Sequence, residues 1–286
     1  MRRFLPFIPI VFFSPVALKA QPLQAKIESL DEVRAAKVVF LNPEYLAHHP
    51  DLADAKAKLP LVIYLHGAGG VGDDTKKNTA RVRAVVKGVR RFRKGPCLIV
   101  APQCRRASPK PDERGVWIPE DLNLFLEHLL ETYTYLDPNR VYLTGNSMGG
   151  YGCWVWGGHS PNHFAAIAPI VGGIGRGGPK DVTPDLEKWA TKLARVPVYA
   201  FAGARDKVVP ADRSERMIAS IRKAGGEEAQ LLVYPEEGHG ASRRVYTSKT
   251  FFDWMFSQKR KSGLSRIKHR GTEDTEGREK KGDDKE

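Results

Sequence analysis

Short apolar runs alternate with longer amphipathic segments along most of this chain, and that alternation limits the folds open to it. The runs are rich in Val, Ile and Leu and end in glycine or proline, which is typical of strands buried on both faces. They occupy residues 61–65, 97–102, 140–145, 164–173, 197–203 and 230–235, after a first strand at 36–46 that leads into a polar loop. Helical patterns separate them, so we predict an α/β fold with a mostly parallel central sheet and helices on both faces.

The 286 residues are enough for one large domain with an appendage at each end. Residues 1–20 combine Arg2 and Arg3 with an apolar run at 4–18, the pattern of a cleaved signal peptide. An uncleaved anchor is the alternative, but the run is short and is interrupted by three prolines. We therefore expect export to the periplasm or the extracellular space, and no transmembrane segment in the mature chain. Residues 21–258 form the predicted catalytic domain, and the charged residues 259–286 a predicted disordered tail.

The formal net charge is +13, and part of the excess is concentrated in residues 76–94, which contain no acid. In that stretch Val82, Val85, Val86, Val89 and Phe92 recur at helical spacing, which predicts an amphipathic helix with a basic outer face. Such a face can be simply solvated. It can also steer an anionic polymer or an acidic membrane surface toward the protein. Nucleic acid is a weaker expectation, because no recognised binding motif accompanies the charge.

The strongest chemical signal is Gly145-Asn146-Ser147-Met148-Gly149, a G-x-S-x-G pattern between a predicted strand and a predicted helix. In that setting the serine lies on a sharp turn with its hydroxyl exposed, and the glycines allow strand and helix to cross closely. The same pattern in an ordinary loop would be weak evidence. Its position directly after RVYLT predicts that Ser147 is a nucleophile rather than part of a structural turn.

A serine hydroxyl needs a base, which predicts a histidine brought from elsewhere in the fold. His48 and His49 lie in the predicted N-terminal loop, and His159 and His163 are too near Ser147 in sequence to fold back easily. His239 follows the strand at 230–235, so it should lie at the carboxyl edge of the sheet, where α/β active sites form. We therefore predict His239 as the base.

In a catalytic triad, an acid orients the histidine that serves as the base. In α/β folds with a strand–serine–helix turn, the acid lies between the serine and the histidine in sequence. Asp206 follows the strand at 197–203 and is the predicted acid, with the role of orienting the imidazole. Asp212 is the alternative, although it falls where the next helix opens and where acids often serve the helix dipole.

The oxyanion of an acyl-transfer reaction needs two hydrogen-bond donors. We predict the backbone N–H of Met148 as the first, and that of Ala68, or alternatively Gly67, as the second. Ala68 and Gly67 both belong to HGAGG at residues 66–70, hereafter the glycine loop, which follows the strand at 61–65. His66 is expected to hold this loop by hydrogen bonds rather than to react.

Taken together, LHGAGGVGDD, DPNRVYLTGNSMGGYGCW, NHFAAIAPIVGG, FAGARDKVVP and YPEEGHG resemble the α/β-hydrolase superfamily. Within it they are similar to bacterial secreted esterases related to feruloyl esterases, polyhydroxybutyrate depolymerases and the prolyl oligopeptidase catalytic domain. The resemblance spans about residues 36–258 and implies a Ser147, Asp206 and His239 triad with no metal or organic cofactor. Val71 and the GASRR that follows His239 depart from the family pattern near the mouth of the site.

Three functions are compatible with these features. The leading one is a serine esterase that cleaves short acyl esters or ester decorations of a polymer, with an anionic substrate in view of the basic helix. A peptidase of the prolyl oligopeptidase type is the enzymatic alternative, although such relatives carry a gating domain that this chain is too short to encode. The third is a non-catalytic binding protein on the same fold, which would not require a complete triad.

Overall fold

The computed structural model describes residues 24–52, 57–93, 95–105, 117–175 and 178–260. The strands are β1 (Gln24–Ser29), β2 (Leu41–His49), β3 (Leu59–Leu65), β4 (Leu98–Cys104), β5 (Leu136–Asn146), β6 (Ala166–Ile170), β7 (Val198–Gly203) and β8 (Ala229–Tyr234). The α-helices are α1 (Glu32–Ala35), α2 (Asn78–Phe92), α3 (Pro119–Thr132), α4 (Met148–His159), α5 (Leu186–Leu193), α6 (Asp212–Lys223), α7 (Ser242–Val245) and α8 (Lys249–Ser257).

The eight strands form one sheet in the order β1-β2-β4-β3-β5-β6-β7-β8. Strands β1, β2 and β4 pair antiparallel, whereas every pairing from β4 through β3 to β8 is parallel. The predicted α/β fold with a mostly parallel sheet is therefore confirmed. The parallel part brings the carboxyl ends of β3, β5, β6, β7 and β8 to one edge, which is where the candidate residues follow their strands.

Side chains of alternate strand residues enter two separate apolar layers, one on each face of the sheet. Leu61, Ile63 and Leu65 of β3 point into the layer that is covered by α3, α4, α5 and α6. Val62 and Tyr64 of the same strand point into the layer covered by α2, α7 and α8. All seven residues of β3 and of β4 are buried, which explains why those strands appear as unbroken apolar runs.

The N-terminal part of the sheet differs from the sequence prediction. The predicted strand at 36–46 is shifted: β2 begins at Leu41 and continues to His49, so His48 and His49 lie in a strand and not in a loop. Strand β1 and the short helix α1 were not predicted at all. Local pattern fails here because β2 pairs antiparallel with β1 on one side and with β4 on the other. Strand β1 is not one of the apolar runs, and β4 is distant from β2 in sequence.

The predicted signal peptide at 1–20 and all of the predicted tail except Lys259 and Arg260 lie outside the described residues. Arg260 belongs to the folded unit, because its backbone N–H donates to Asn139 O at 3.0 Å and its guanidinium donates to Asn139 Oδ1 and Asn162 O. Within the described ranges, none of the helices is long and apolar enough to cross a membrane.

Candidate active site

Ser147 occupies the turn between β5 and α4 in a backbone conformation that residues other than glycine rarely adopt. Its φ is 58° and its ψ is −118°, a strained geometry that costs about 1–3 kcal/mol and is retained mainly at functional sites. The backbone N–H of Ser147 donates to Ile170 O at 2.9 Å, which ties the turn to the end of β6. Helix α4 begins at the next residue, so its positive dipole end lies beside the serine.

The two glycines of the G-x-S-x-G pattern are required by the close crossing of β5, α4 and β3. A β-carbon at Gly149 would lie 2.0 Å from Leu65 O, and one at Gly145 would lie 2.6 Å from Gly149 O. Contacts this short with backbone atoms exclude any side chain at either position. The glycines therefore allow α4 to start directly against the carboxyl ends of β3 and β5.

His239 connects Ser147 to Asp206 through two hydrogen bonds. The Ser147 hydroxyl donates to His239 Nε2 at 2.8 Å, and His239 Nδ1–H donates to Asp206 Oδ2 at 2.8 Å. The second oxygen of Asp206 accepts the backbone N–H groups of Val208 and Val209 at 2.8 and 2.9 Å. The Asp206 side chain is fully buried, whereas that of His239 is 31% exposed, so the acid is fixed and the imidazole faces the solvent side of the site.

The alternative candidates lie elsewhere. Asp212 is the first residue of α6, and its carboxylate pairs with Arg213 at 2.6 Å and with Arg216 at 3.4 Å. His49 pairs with Glu28 at 2.7 Å, and His48 is buried in β2. His159 ends α4 and His163 ends the short 3₁₀ turn after it, at the end of the helix opposite to Ser147.

The glycine loop after β3 lies against the turn that carries Ser147. A β-carbon at Gly67 would lie 3.4 Å from Ser147 Cβ and 3.2 Å from Asn146 O, so the backbone of this loop approaches the serine closely. Residues Ala68–Gly70 form one 3₁₀ turn, closed by the N–H of Gly70 donating to Gly67 O at 2.9 Å. Met148 N–H is in the first turn of α4, where no intrahelical acceptor exists. Both predicted donor segments therefore flank Ser147.

His66 holds the glycine loop, as the sequence predicted. Its Nδ1–H donates to Gly67 O at 2.7 Å, and its Nε2 accepts the backbone N–H of Cys104 at 3.0 Å. These two bonds require the neutral ring with its proton on Nδ1. Burial lowers the pKa of His66 to about 4, so the ring is neutral near pH 7.

Two further contacts to this region were not predicted from sequence. Arg81 of α2 donates from Nη2 to Gly69 O at 2.9 Å. The hydroxyl of Tyr64 donates to Asn146 Oδ1 at 2.6 Å, next to Ser147 in the chain. The acid-free stretch at 76–94 marked Arg81 as part of a basic helix. The contact of Arg81 with the glycine loop, however, depends on how α2 packs. For Tyr64, which is one letter in an apolar run, the sequence offered no signal.

Among the described residues, no group of three or more His, Cys, Asp or Glu side chains is arranged to hold a metal ion.

One family match with known proteins covers the residues of the site. Residues 118–250, which contain Ser147, Asp206 and His239, match the model of the dienelactone hydrolase family. A protein of Salmonella typhimurium described as "Putative carboxymethylenebutenolidase" is 31% identical over 109 residues, 36% of this chain and 37% of that protein. The chain thus matches little more than a third of the length of this curated relative.

Solved structures extend the similarity to most of the chain. A thermostable esterase superposes with a TM-score of 0.65 and 25% identity, over 85% of this chain and 64% of that one. A ferulic acid esterase gives 0.60 at 16% identity, over 83% and 99% of the two chains, and an acylaminoacyl peptidase of Pyrococcus horikoshii gives 0.58 at 14%, over 88% and 44%. With this mostly parallel sheet, this strand–Ser147–helix turn and these similarities, the chain has the α/β-hydrolase fold.

Proposed function

We propose that this protein is a serine hydrolase that cleaves carboxylic esters through an acyl-enzyme intermediate. The observation that carries the proposal is the continuous hydrogen-bonded series from buried Asp206 through His239 to the strained Ser147. Stability alone does not require a serine in this conformation. A non-catalytic binding protein would not need the three groups to converge at the carboxyl edge of the sheet.

In this mechanism Ser147 Oγ attacks the ester carbonyl carbon while His239 Nε2 takes the hydroxyl proton. Asp206 keeps the imidazole in the required tautomer and stabilises the imidazolium without taking the proton. Negative charge develops on the carbonyl oxygen, and the N–H groups of Met148 and Ala68, or Gly67, would stabilise it. His239 then protonates the leaving alcohol, and a water activated by the same imidazole releases the acid from Ser147.

Labelling with a fluorophosphonate tests the nucleophile directly. We expect the wild type to react once per chain and to hydrolyse 4-nitrophenyl acetate, and Ser147→Ala to lose both properties while remaining folded. The loss of turnover should be about 10⁴-fold or more, since members of a triad act as a unit. Activity above a few per cent in clean Ser147→Ala protein would show that another residue is the nucleophile.

Short acyl groups are the expected substrates. Between β6 and β7 the chain must supply α5, and the residues before it are held close by a bridge between Ile174 and Val182 and by Gly175 packing against Asp181. Little chain is left there to form an apolar lid. An acyl methylene that stays in water forgoes about 0.8 kcal/mol of burial. We expect kcat/KM to level off after butyryl in a series from acetyl to palmitoyl; a steady rise to palmitoyl would contradict the preference for short acyl groups.

A cyclic ester is a second candidate substrate. The family match and the Salmonella typhimurium relative point to dienelactone hydrolases and carboxymethylenebutenolidases, whose names specify lactones. Attack of a serine on a lactone carbonyl uses the same triad and donors. Comparing an unsaturated γ-lactone with an open-chain acetate ester at equal concentration would decide between the two substrate classes.

We also propose that the protein is exported, on the basis of Arg2, Arg3 and the apolar run that follows them. N-terminal sequencing of the mature protein recovered from outside the cytoplasm should begin at residue 21. An intact N-terminus on a cytoplasmic protein would contradict export.

A further inference from the structure

Helix α2 is strongly basic, and its N-terminal part lies against the loop beside the candidate active site. The helix carries five cations and no acid, and all five are exposed. Arg83, Lys87, Arg90 and Arg91 lie on one side of the helix and Arg81 on the flank toward the glycine loop, and the five together are hereafter the basic face. At about 1.5 Å per residue, the ten steps from Arg81 to Arg91 span about 15 Å. Positive charge therefore extends as a stripe away from the site.

Arg81 connects the basic face to the glycine loop. Its guanidinium donates to Gly69 O, and a β-carbon at Gly69 would lie 2.9 Å from Arg81 Nη2. Two residues earlier, Gly67 lies against Ser147. One end of the basic face thus contacts the loop that lies beside Ser147.

The cations of the basic face are not neutralised by neighbouring acids. In the described part of the chain, no ion pair joins any of these five side chains to a carboxylate. The nearest acids along the chain and on α8 are engaged with other cations, Asp74 with Lys77 and Asp253 with Lys249. The positive field of the stripe is therefore available to a ligand.

We infer that the natural substrate is a polyanionic sugar polymer that carries short acyl esters, and that its carboxylate groups bind along the basic face while one ester reaches Ser147. This rests on the proposed esterase function. A row of cations about 15 Å long fits a chain with repeated negative charges better than one small anion. Nucleic acid carries no carboxylic ester for the triad to cleave.

An anionic membrane surface is disfavoured by the composition of the same face. Helices that bind at a lipid surface insert apolar side chains beside their cations. The exposed large apolar residues of the described chain are Ile27, Val33, Val39, Leu52, Val182, Val208 and Leu232, and none of them is on α2. The face offers charge without an insertion surface.

Replacing Arg83 and Lys87 tests the inference without changing the glycine loop or its contact with Arg81. Both are exposed and one helical turn apart. The test compares Arg83→Glu/Lys87→Glu with the matched pair Arg195→Glu/Lys223→Glu, which makes the same charge change at exposed positions on the α5 and α6 side. Substrates are O-acetylated polyuronate, an O-acetylated neutral glucan and 4-nitrophenyl acetate.

For wild type we expect kcat/KM on the acetylated polyuronate to fall steeply as salt is raised from 10 mM to 0.5 M, because screening shortens the reach of the charges. Arg83→Glu/Lys87→Glu should lose on the order of 10-fold or more on that polymer at low salt. It should keep full activity on the neutral glucan and on 4-nitrophenyl acetate, and the matched pair should behave as wild type.

Equal losses on the charged and neutral polymers, or no loss on the polyuronate, would overturn the inference. So would salt-sensitive co-sedimentation of the wild type with phosphatidylglycerol vesicles that the double variant no longer shows. Failure of wild type to cleave 4-nitrophenyl acetate would instead count against the esterase function itself.

Discussion

Within the described residues, two regions contain an aspartate, a histidine and a hydroxyl in hydrogen-bonded series, and they differ in how open the hydroxyl is. At the carboxyl edge the series is Asp206, His239 and Ser147. On the antiparallel side of the sheet, Asp31 accepts from His128 Nδ1–H at 3.2 Å, and His128 Nε2 lies 3.2 Å from the Tyr45 hydroxyl. The groups are similar, but their surroundings are not.

In the second region the hydroxyl is closed in by further partners. The Tyr45 hydroxyl lies 2.9 Å from that of Tyr133, which donates to Glu28, and His128 is buried. Burial also raises the pKa of Tyr45, which makes its oxygen harder to ionise. Ser147 instead lies at the start of a helix, beside a solvent-facing imidazole and a glycine loop. The two regions therefore differ in solvent access and in the backbone N–H groups beside the hydroxyl, although both place a histidine next to it.

The largest expected difference comes from replacing the two histidines. His239→Ala should lower kcat/KM on 4-nitrophenyl acetate by about 10⁴-fold or more, because Ser147 then has no base. His128→Ala should leave kcat near that of wild type and lower the free energy of unfolding by about 1–3 kcal/mol, through loss of buried hydrogen bonds. Steady-state kinetics and urea unfolding of both variants measure the two effects. A catalytic loss of 10²-fold in folded His128→Ala would break the distinction.

Replacing the acids should give a smaller but still clear contrast. Asp206→Asn should reduce turnover by about 10²-fold to 10⁴-fold, since an amide can impose the wrong tautomer on His239. Asp212→Asn should change turnover little, because its carboxylate pairs with Arg213 and Arg216 at the start of α6. Asp31→Asn should likewise spare turnover. If Asp212→Asn were the more damaging variant in the same kinetic assay, the acid of the triad would have to be reassigned.

A third histidine, His66, sharpens the comparison because it supports the site without a carboxylate partner. Its pKa in the folded protein is lowered to about 4 from an ordinary 6.5, mainly by burial. The unfolded chain therefore binds the proton more tightly, and stability should fall as pH falls from about 6.5 to about 4. At 1.36 kcal/mol per pKa unit the loss from this ring is about 3 kcal/mol.

Urea unfolding of wild type and His66→Gln across this pH range isolates that contribution. The variant should be less stable at pH 7, yet its stability should decrease less steeply toward pH 4. Parallel slopes would show that His66 does not remain neutral in the folded state.

Much of this architecture was predictable from local pattern. The six predicted apolar runs correspond to β3–β8 within a few residues, because strands buried on both faces need continuous apolar sequence, and the predicted basic helix at 76–94 corresponds to α2. The order of Ser147, Asp206 and His239 along the chain, each after a predicted strand, also indicated which residues could meet at the carboxyl edge. Their hydrogen bonds in the structure agree with that expectation, and the kinetic variants above are the test of their roles.

Other features were decided only by packing. Strand β1, the extension of β2 through His49 and the series from Asp31 to Tyr45 depend on antiparallel pairing and on α3, whose residues are distant in sequence. The contact of Arg81 with Gly69 likewise depends on how α2 packs against β2 and β4. Local sequence specifies which segments are strands or helices and which residues follow them. Tertiary structure decides which polar groups meet, since a hydrogen bond between distant residues forms only where packing brings donor and acceptor within about 3 Å.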